Sequence, residues 1–280
     1  MVNTKISENQ YNEIVKLYQE GLSSVKIASL YGVTHKTITK ILDKKGVQRV
    51  NSYRKYKLNE EYFDNIDTPN KAYILGLLYA DGSNTESKCT ISISLQIEDG
   101  YILDKIRQEI GSEKPLEFLD YSNKHDGGYN YKNQYRLLMF SKHMCETLKD
   151  KGMMPNKSLI LQWPSFLRDD LYSHFLRGYI DGDGYIQPHK WEHCVNFLST
   201  YDFCKKAQEY IENKLDIKCR LDDAPCCNGV TTYLYVRYKE QVKKFLDYIY
   251  QDAELYLERK YQTYISKYCN DDSINNTQVA

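Results

Sequence analysis

The sequence predicts an α+β fold in which two pseudo-symmetric αββαββα halves follow a small all-α module. Three observations carry that expectation. The stretch Leu176-Arg177-Gly178-Tyr179-Ile180-Asp181-Gly182-Asp183-Gly184 has an echo in Ile74-Leu75-Gly76-Leu77-Leu78-Tyr79-Ala80-Asp81-Gly82. The order of helical and strand patterns after each stretch repeats. Charge is uneven: residues 1–57 hold eleven Lys/Arg against four Asp/Glu, or +7 on a chain of zero net charge, so the remainder carries −7. A basic front module on a mildly acidic body is a sharper statement than the neutral total.

Composition allows a substantial core, with 41% hydrophobic and 27% charged residues,. No run reaches the roughly 18 apolar residues that span a bilayer, and Met1 to Asn9 lacks a signal-peptide core, so a soluble intracellular protein with no membrane partner is expected,. None of the eight cysteines is spaced C-x-x-C, and Cys226-Cys227 is no zinc pair, which leaves reduced, structural thiols,. Tyrosine, 27 of 280 residues, suits a wet binding face,.

Three short helices are expected over residues 7–46. The first runs from Glu8 to Glu20 and stops at Gly21. The second is capped by Ser23 or Ser24 and ends before Gly32, and the third is capped by Thr34 and ends at Gly46,. Apolar Ile27, Ala28, Tyr31, Val33, Ile38 and Ile41 fall where such a unit needs a core. The pattern resembles a helix-turn-helix DNA-binding domain of the recombinase and transposase type. It implies that Thr34, His35, Lys36, Thr39 and Lys40 face a major groove. The basic link over 47–58, with Arg54 and Lys55, is a candidate for tracking a DNA backbone. The bounds expected are 1–46 for the front domain, 47–58 for the link, 59–165 and 166–269 for the halves, and 270–280 for a polar tail without fixed structure,.

The run before each Asp-Gly is apolar at helical spacing, and small residues four apart (Gly76 and Ala80, Gly178 and Gly182) leave a face on which another backbone can lie close. Two helices paired through those faces would bring Asp81 and Asp183 together. A carboxylate at a helix C-terminus is disfavoured by roughly 0.3–1 kcal/mol, and two in one site repel further. A hard divalent cation is the obvious compensating partner. The twin stretches resemble the LAGLIDADG motif of homing endonucleases. The resemblance implies that the helix pair is the interface and that each eighth-position acid binds catalytic Mg²⁺ (Mn²⁺ substituting), with Ala80 and Gly182 beside them in the metal site. It departs at the sixth position, where Tyr79 stands opposite Asp181.

After each motif the elements repeat. In the first half, strand 89–97 alternates Ile91, Ile93 and Leu95 with Ser92, Ser94 and Gln96. Helix 99–110, strands 115–121 and 133–141 and helix 143–151 follow. In the second half strands 185–188 and 194–199, helix 202–215, strands 217–222 and 231–238 and helix 240–250 precede a last helix over 254–269,. Each sheet would bury one face. The polar faces, with Ser92, Ser94 and Arg136 in one and Lys218, Arg220, Tyr233, Tyr235 and Arg237 in the other, would make a saddle for the major groove, as the resemblance implies.

Lys157 lies 76 residues after Asp81 and Lys260 lies 77 after Asp183. A lysine at each matched distance suggests one beside each scissile phosphate, where it stabilises developing charge or polarises water. Gln96 and Thr200, at the ends of matching strands, are candidates for orienting water. The expected function is site-specific cleavage of double-stranded DNA at a long, weakly symmetric target by a monomer, with short 3′ overhangs as the resemblance implies. The expected place is the cytoplasm with its nucleoid, or another compartment holding DNA. The alternatives are a catalytically silent DNA-binding regulator and a maturase that binds intron RNA.

Overall fold

The computed structural model describes residues 6–20, 22–47, 56–122, 125–126, 129–223 and 230–269. The expected roles of Arg54, Lys55 and the tail lie outside them. The chain divides into two compact units, 1–55 and 56–280.

The first unit is three helices, α1 (Glu8–Gln19), α2 (Ser24–Tyr31) and α3 (His35–Lys44). Ser23 and Thr34 cap the second and third, their hydroxyls accepting from the backbone N–H of Lys26 (3.2 Å) and Thr37 (3.3 Å). Gly32 turns the chain between them at φ +64°, a left-handed value that glycine adopts without strain,. Ile14, Ile27, Ala28, Ile38, Ile41 and Leu42 close the core. Thr34, His35, Lys36 and Lys40 are left exposed, and Thr39 is half-buried with its hydroxyl donated to Lys36 O.

The second unit is built around α4 (Pro69–Asp81) and α7 (Tyr172–Asp183). Thr68 caps α4, with Pro69 in the first turn where its missing N–H costs nothing,. The helices meet backbone to backbone. A Cβ on Gly76 would fall 2.9 Å from Tyr179 N and closer still to Phe175 O; one on Gly178 would fall 2.9 Å from Leu77 N and closer to Tyr73 O. The motif glycines are therefore spacers between helices. The closing Gly82 and Gly184 are C-caps with extended backbone (φ −76° and −87°), not the left-handed caps usual for glycine,. Their lack of a side chain matters because a Cβ would lie 2.5 Å from Leu78 O and 2.6 Å from Ile180 O.

Each helix leads into a four-stranded antiparallel sheet. The first comprises β1 (Ser83–Thr85), β2 (Thr90–Gln96), β3 (Glu117–Leu119) and β6 (Gln134–Phe140), in the order β1-β2-β6-β3. The second comprises β7 (Gly184–Ile186), β8 (Cys194–Thr200), β9 (Cys219–Asp223) and β10 (Thr231–Arg237), in the order β7-β8-β10-β9. Ile91, Ile93, Leu137 and Met139, like Val195, Phe197, Leu234 and Val236, point into the core. The other helices are α5 (Gly100–Glu109), α6 (Lys142–Asp150), α8 (Tyr201–Leu215) and α9 (Lys239–Tyr250). The expected α+β class and paired halves are observed.

Three details differ from expectation. The short β1 is hidden in sequence because Ser83-Asn84-Thr85 has no apolar alternation; it pairs Ser83 with Ser92. The first half also inserts a hairpin, β4 (His125–Asp126) and β5 (Tyr129–Asn130), before β6. The last helix, α10 (Glu258–Tyr264), followed by a π-helical turn at Ile265–Cys269, starts at Glu258 rather than 254. The chain ahead of it is irregular because its backbone groups are bound sideways: Leu255 O accepts from Arg177 Nε (2.8 Å) and Leu257 N–H donates to Asp181 Oδ2 (2.8 Å).

Thr200 is fully occupied as a cap. Its hydroxyl donates to Leu161 O (2.6 Å) and accepts from Phe203 N–H (3.2 Å), which removes it as an orienter of water. Replacing Thr200 by alanine should lower stability by about 1–2 kcal/mol, read from the urea midpoint.

Candidate active site

The glycine-spaced crossing of α4 and α7 puts their C-terminal turns side by side. Asp81 Oδ2 lies 3.2 Å from where a Gly182 Cβ would stand, one residue before Asp183 on the other helix. The two acids are thus neighbours. Both side chains reach solvent, yet protein surrounds them closely enough to disfavour their charged forms. That crowding, with repulsion from Asp183, pushes Asp81 up to about 6, against the pull of Lys260 and Lys157. Asp183 is raised too, mainly by desolvation. Neither carboxylate has a side-chain hydrogen bond to the described residues.

The two lysines are built in as helix caps. Lys157 Nζ donates to Ala80 O (2.9 Å) and Gly82 O (2.7 Å). Lys260 Nζ donates to Ile180 O, to Asp181 O (2.8 Å) and to Gly184 O (2.7 Å). An ammonium at the negative end of a helix is favourably placed, and here it ties up carbonyls the helix leaves open. Burial lowers both lysines, Lys260 to about 8. Each caps its own helix, and both favour the charged forms of the acids, Lys260 ahead of Lys157 at Asp81 and Lys157 ahead of Lys260 at Asp183.

The donor set fits a hard divalent ion in part. Two oxygen-donor carboxylates stand together without other partners, and their mutual repulsion would be relieved by a cation. Ala80 O already accepts from an ammonium, which weakens it as a metal ligand; the Gly182 carbonyl takes no side-chain donor among the described residues. No group of three or more His, Cys, Asp or Glu that could hold a metal by itself occurs among the described residues. Water or a substrate phosphate would have to complete the shell.

Residues 170–250, the helix bearing Asp183 and the sheet behind it, match the family model of the LAGLIDADG-like domain. Residues 170–250 are therefore similar to a LAGLIDADG-like domain. Residues 4–45 match the helix-turn-helix domain of resolvase. Among solved structures, full-length DUF199/WhiA from Thermatoga maritima is 15% identical with a TM-score of 0.48, over 79% of this chain and 66% of that one. The homing endonuclease I-WcaI bound to its DNA recognition sequence is 14% identical with a TM-score of 0.49, over 76% and 97%. The I-LtrWI LAGLIDADG homing endonuclease bound to target DNA is 12% identical with a TM-score of 0.45, over 78% and 92%. No curated protein matches the chain.

Beside Asp183 the second unit opens a cleft of about 550 Å³ lined by Ala80, Lys157, Asp183, Tyr185, Asn196 and Tyr233 among others. Tyr185 and Asn196 were not singled out from sequence. The signal was present: Asn196 alternates with Val195 and Phe197, and the register sets it opposite both Tyr185 and Tyr235. Gln96 is four residues past Ser92, the partner of Ser83, and its amide oxygen accepts from Lys132 (3.2 Å), so no hydrogen bond joins it to either acid.

On the outer face of the first sheet Arg136 donates to Ser94 Oγ (3.1 Å), with Ser92 half-buried beside it. On the second, Lys218 is exposed just ahead of β9, Arg220 pairs with Asp222 (2.6 Å), and the Arg237 guanidinium lies 4.7 Å from the centre of the Tyr235 ring. Tyr233 and Tyr235 stand 5.7 Å apart.

A second polar group, buried behind the acids, went unread in sequence. Arg177, 0% exposed, donates to Leu255 O and Ile249 O, shares a hydrogen bond with His174 Nδ1 (3.0 Å), and lies over the Tyr73 ring. Asp181, 1% exposed, accepts from Tyr73 OH (2.9 Å) and Leu257 N–H. Burial pushes Asp181 up to about 6 against the pull of Lys260. The available clue was a charged residue at the second motif position, where the first copy has Leu75.

Proposed function

We propose that this protein is a DNA endonuclease that hydrolyses phosphodiester bonds in a double-stranded target, with a divalent cation held by Asp81 and Asp183. The observation that carries the reading is the pair of neighbouring carboxylates without hydrogen-bond partners among the described residues, with a lysine capping each of the helices that bear them. When bound, Mg²⁺ or Mn²⁺ would activate water and neutralise charge on the phosphate. The chain's own residues do the rest. Asp81 and Asp183 hold the site's negative charge at one point; Lys157 and Lys260 fix the helix ends on which the acids sit and offer positive charge to a phosphate placed there. The sheet faces, with Ser92, Ser94, Arg136, Arg220, Tyr233, Tyr235 and Arg237, position the duplex, and the exposed side of α3 gives a second, independent contact.

The test is incubation with DNA from an uninterrupted copy of the host locus, with and without Mg²⁺. Metal-dependent double-strand cleavage supports the reading. Binding without cleavage supports a DNA-binding regulator instead, which the engagement of both lysine ammoniums by backbone carbonyls, three at Lys260 and two at Lys157, favours. Preference for intron RNA over duplex DNA supports a maturase.

The pH dependence follows from Asp81. An acid raised to about 6 in the folded state holds a disfavoured charge above that pH, and the cost is relieved as pH falls through 6 toward the unfolded value,. Cleavage at limiting metal should therefore decline below pH 6. Asp81→Asn should raise the metal-free Tm at pH 7.5 by a few degrees, on the order of 1 kcal/mol once solvent screening is allowed for. Near pH 4 it should change nothing.

A further inference from the structure

We infer that Asp181 and Arg177 are positioning residues: a buried bracket on α7 that grips the Leu255–Leu257 segment and thereby sets Lys260 against the acids. The functional consequence rests on the nuclease reading; the bracket itself does not.

The geometry is specific. Arg177 and Asp181 stand four apart on α7 and so share a face. One donates to Leu255 O and the other accepts from Leu257 N–H, so a non-repetitive strand of backbone is held at two points, two residues apart. Lys260 follows within one turn of α10, and its ammonium returns to the C-terminal carbonyls of the same helix. The clasp is extended across the molecule by the first half: Tyr73, on α4, donates to Asp181, and Arg259 pairs with Asp99 (3.0 Å) ahead of α5.

The group is costly unless it serves a purpose. A carboxylate and a guanidinium have been taken out of water without forming a direct ion pair among the described residues,. Asp181 Oδ1, Arg177 Nη2 and Tyr250 OH are buried and have no hydrogen-bond partner among the described residues. The first half holds the segment ahead of its own lysine with different, uncharged groups. Leu75 and Tyr79 occupy the matching positions, and the Tyr79 hydroxyl donates instead to Lys151 O. Asn84 donates to Met153 O (3.0 Å), and Lys157 follows after the left-handed turn at Asn156 (φ +56°), so neither Arg177 nor Asp181 takes part in placing it. The two lysines are thus alike in their caps and unlike in their support, and loss of the bracket should release only one of them.

The experiment compares acylation of Lys260 and Lys157 by an N-hydroxysuccinimide ester at fixed pH, followed by mass spectrometry of the full-length protein's peptides. Asp181→Ala should speed Lys260 by about tenfold or more with Lys157 unchanged. Asp181→Asn, which keeps an acceptor for Leu257 and Tyr73, should restore most of the protection, and the milder Tyr73→Phe should give a smaller rise. Equal acceleration of both lysines, or none at Lys260, overturns the bracket. Target DNA labelled on each strand gives the second arm. In Asp181→Ala one strand should be cut more slowly than the other, so that nicked product accumulates. Selective Lys260 acylation with no cleavage even by the parent protein keeps the bracket and rejects the nuclease. Selective acylation with both strands slowed alike rejects the assignment of Lys260 to one strand.

Discussion

Replacing Gly178 by alanine is expected to cost at least about 3 kcal/mol and to abolish cooperative folding of the 56–280 unit under mild denaturant. Added methylenes in a packed interior usually cost about 1–3 kcal/mol because side chains can shift. Here they cannot: the new Cβ would meet Tyr73 O and Leu77 N, both backbone atoms of a helix whose own position is fixed by the opposite sheet. The helices would have to part along their length. Urea unfolding followed by circular dichroism reads the loss. A Gly32→Ala control, at a left-handed position with open space around it, should cost only about 1 kcal/mol and in the front unit alone,. If Gly178→Ala costs no more than that control, the backbone contact between the two halves is not the one described.

Asp183→Asn is expected to reduce cleavage at least about a thousandfold while changing DNA affinity by less than about threefold. The amide keeps the shape but loses the charge that would hold the cation, and metal-assisted hydrolysis has no substitute for it at this point in the fold. Because the acid is disfavoured in the folded state, the variant should also be no less stable than the parent without metal. Single-turnover cleavage, binding by fluorescence anisotropy in Ca²⁺, and thermal melting separate the three effects. Undiminished cleavage would remove Asp183 from the chemistry.

Much of this arrangement was legible in sequence, for identifiable reasons. A helix pair needs small residues at a fixed interval, and Gly76, Ala80, Gly178 and Gly182 advertised it. The strands showed because each has one wet and one dry face, as in Thr90 to Gln96. What stayed hidden has no such periodicity. Ser83–Thr85 is too short and too polar to alternate. The segment before α10 looks helical but is pulled straight by Arg177 and Asp181, contacts some 75 residues away in sequence. Thr200 matched Gln96 by position, yet its hydroxyl is committed to a helix cap, a fate that strand patterns do not reveal.

The spacing of α4 and α7 also bears on what a fragment of this chain would do. A piece ending before Tyr172 would carry α4 with its groove open along Gly76 and Ala80, an apolar channel shaped for another helix of the same kind. Two such pieces could fill each other's channel about a twofold axis, and gel filtration would find them as a homodimer. The single-chain body accordingly has the plan of a dimer within one chain, its halves set apart by the charged clasp at Asp181 in one and the β4–β5 pair in the other.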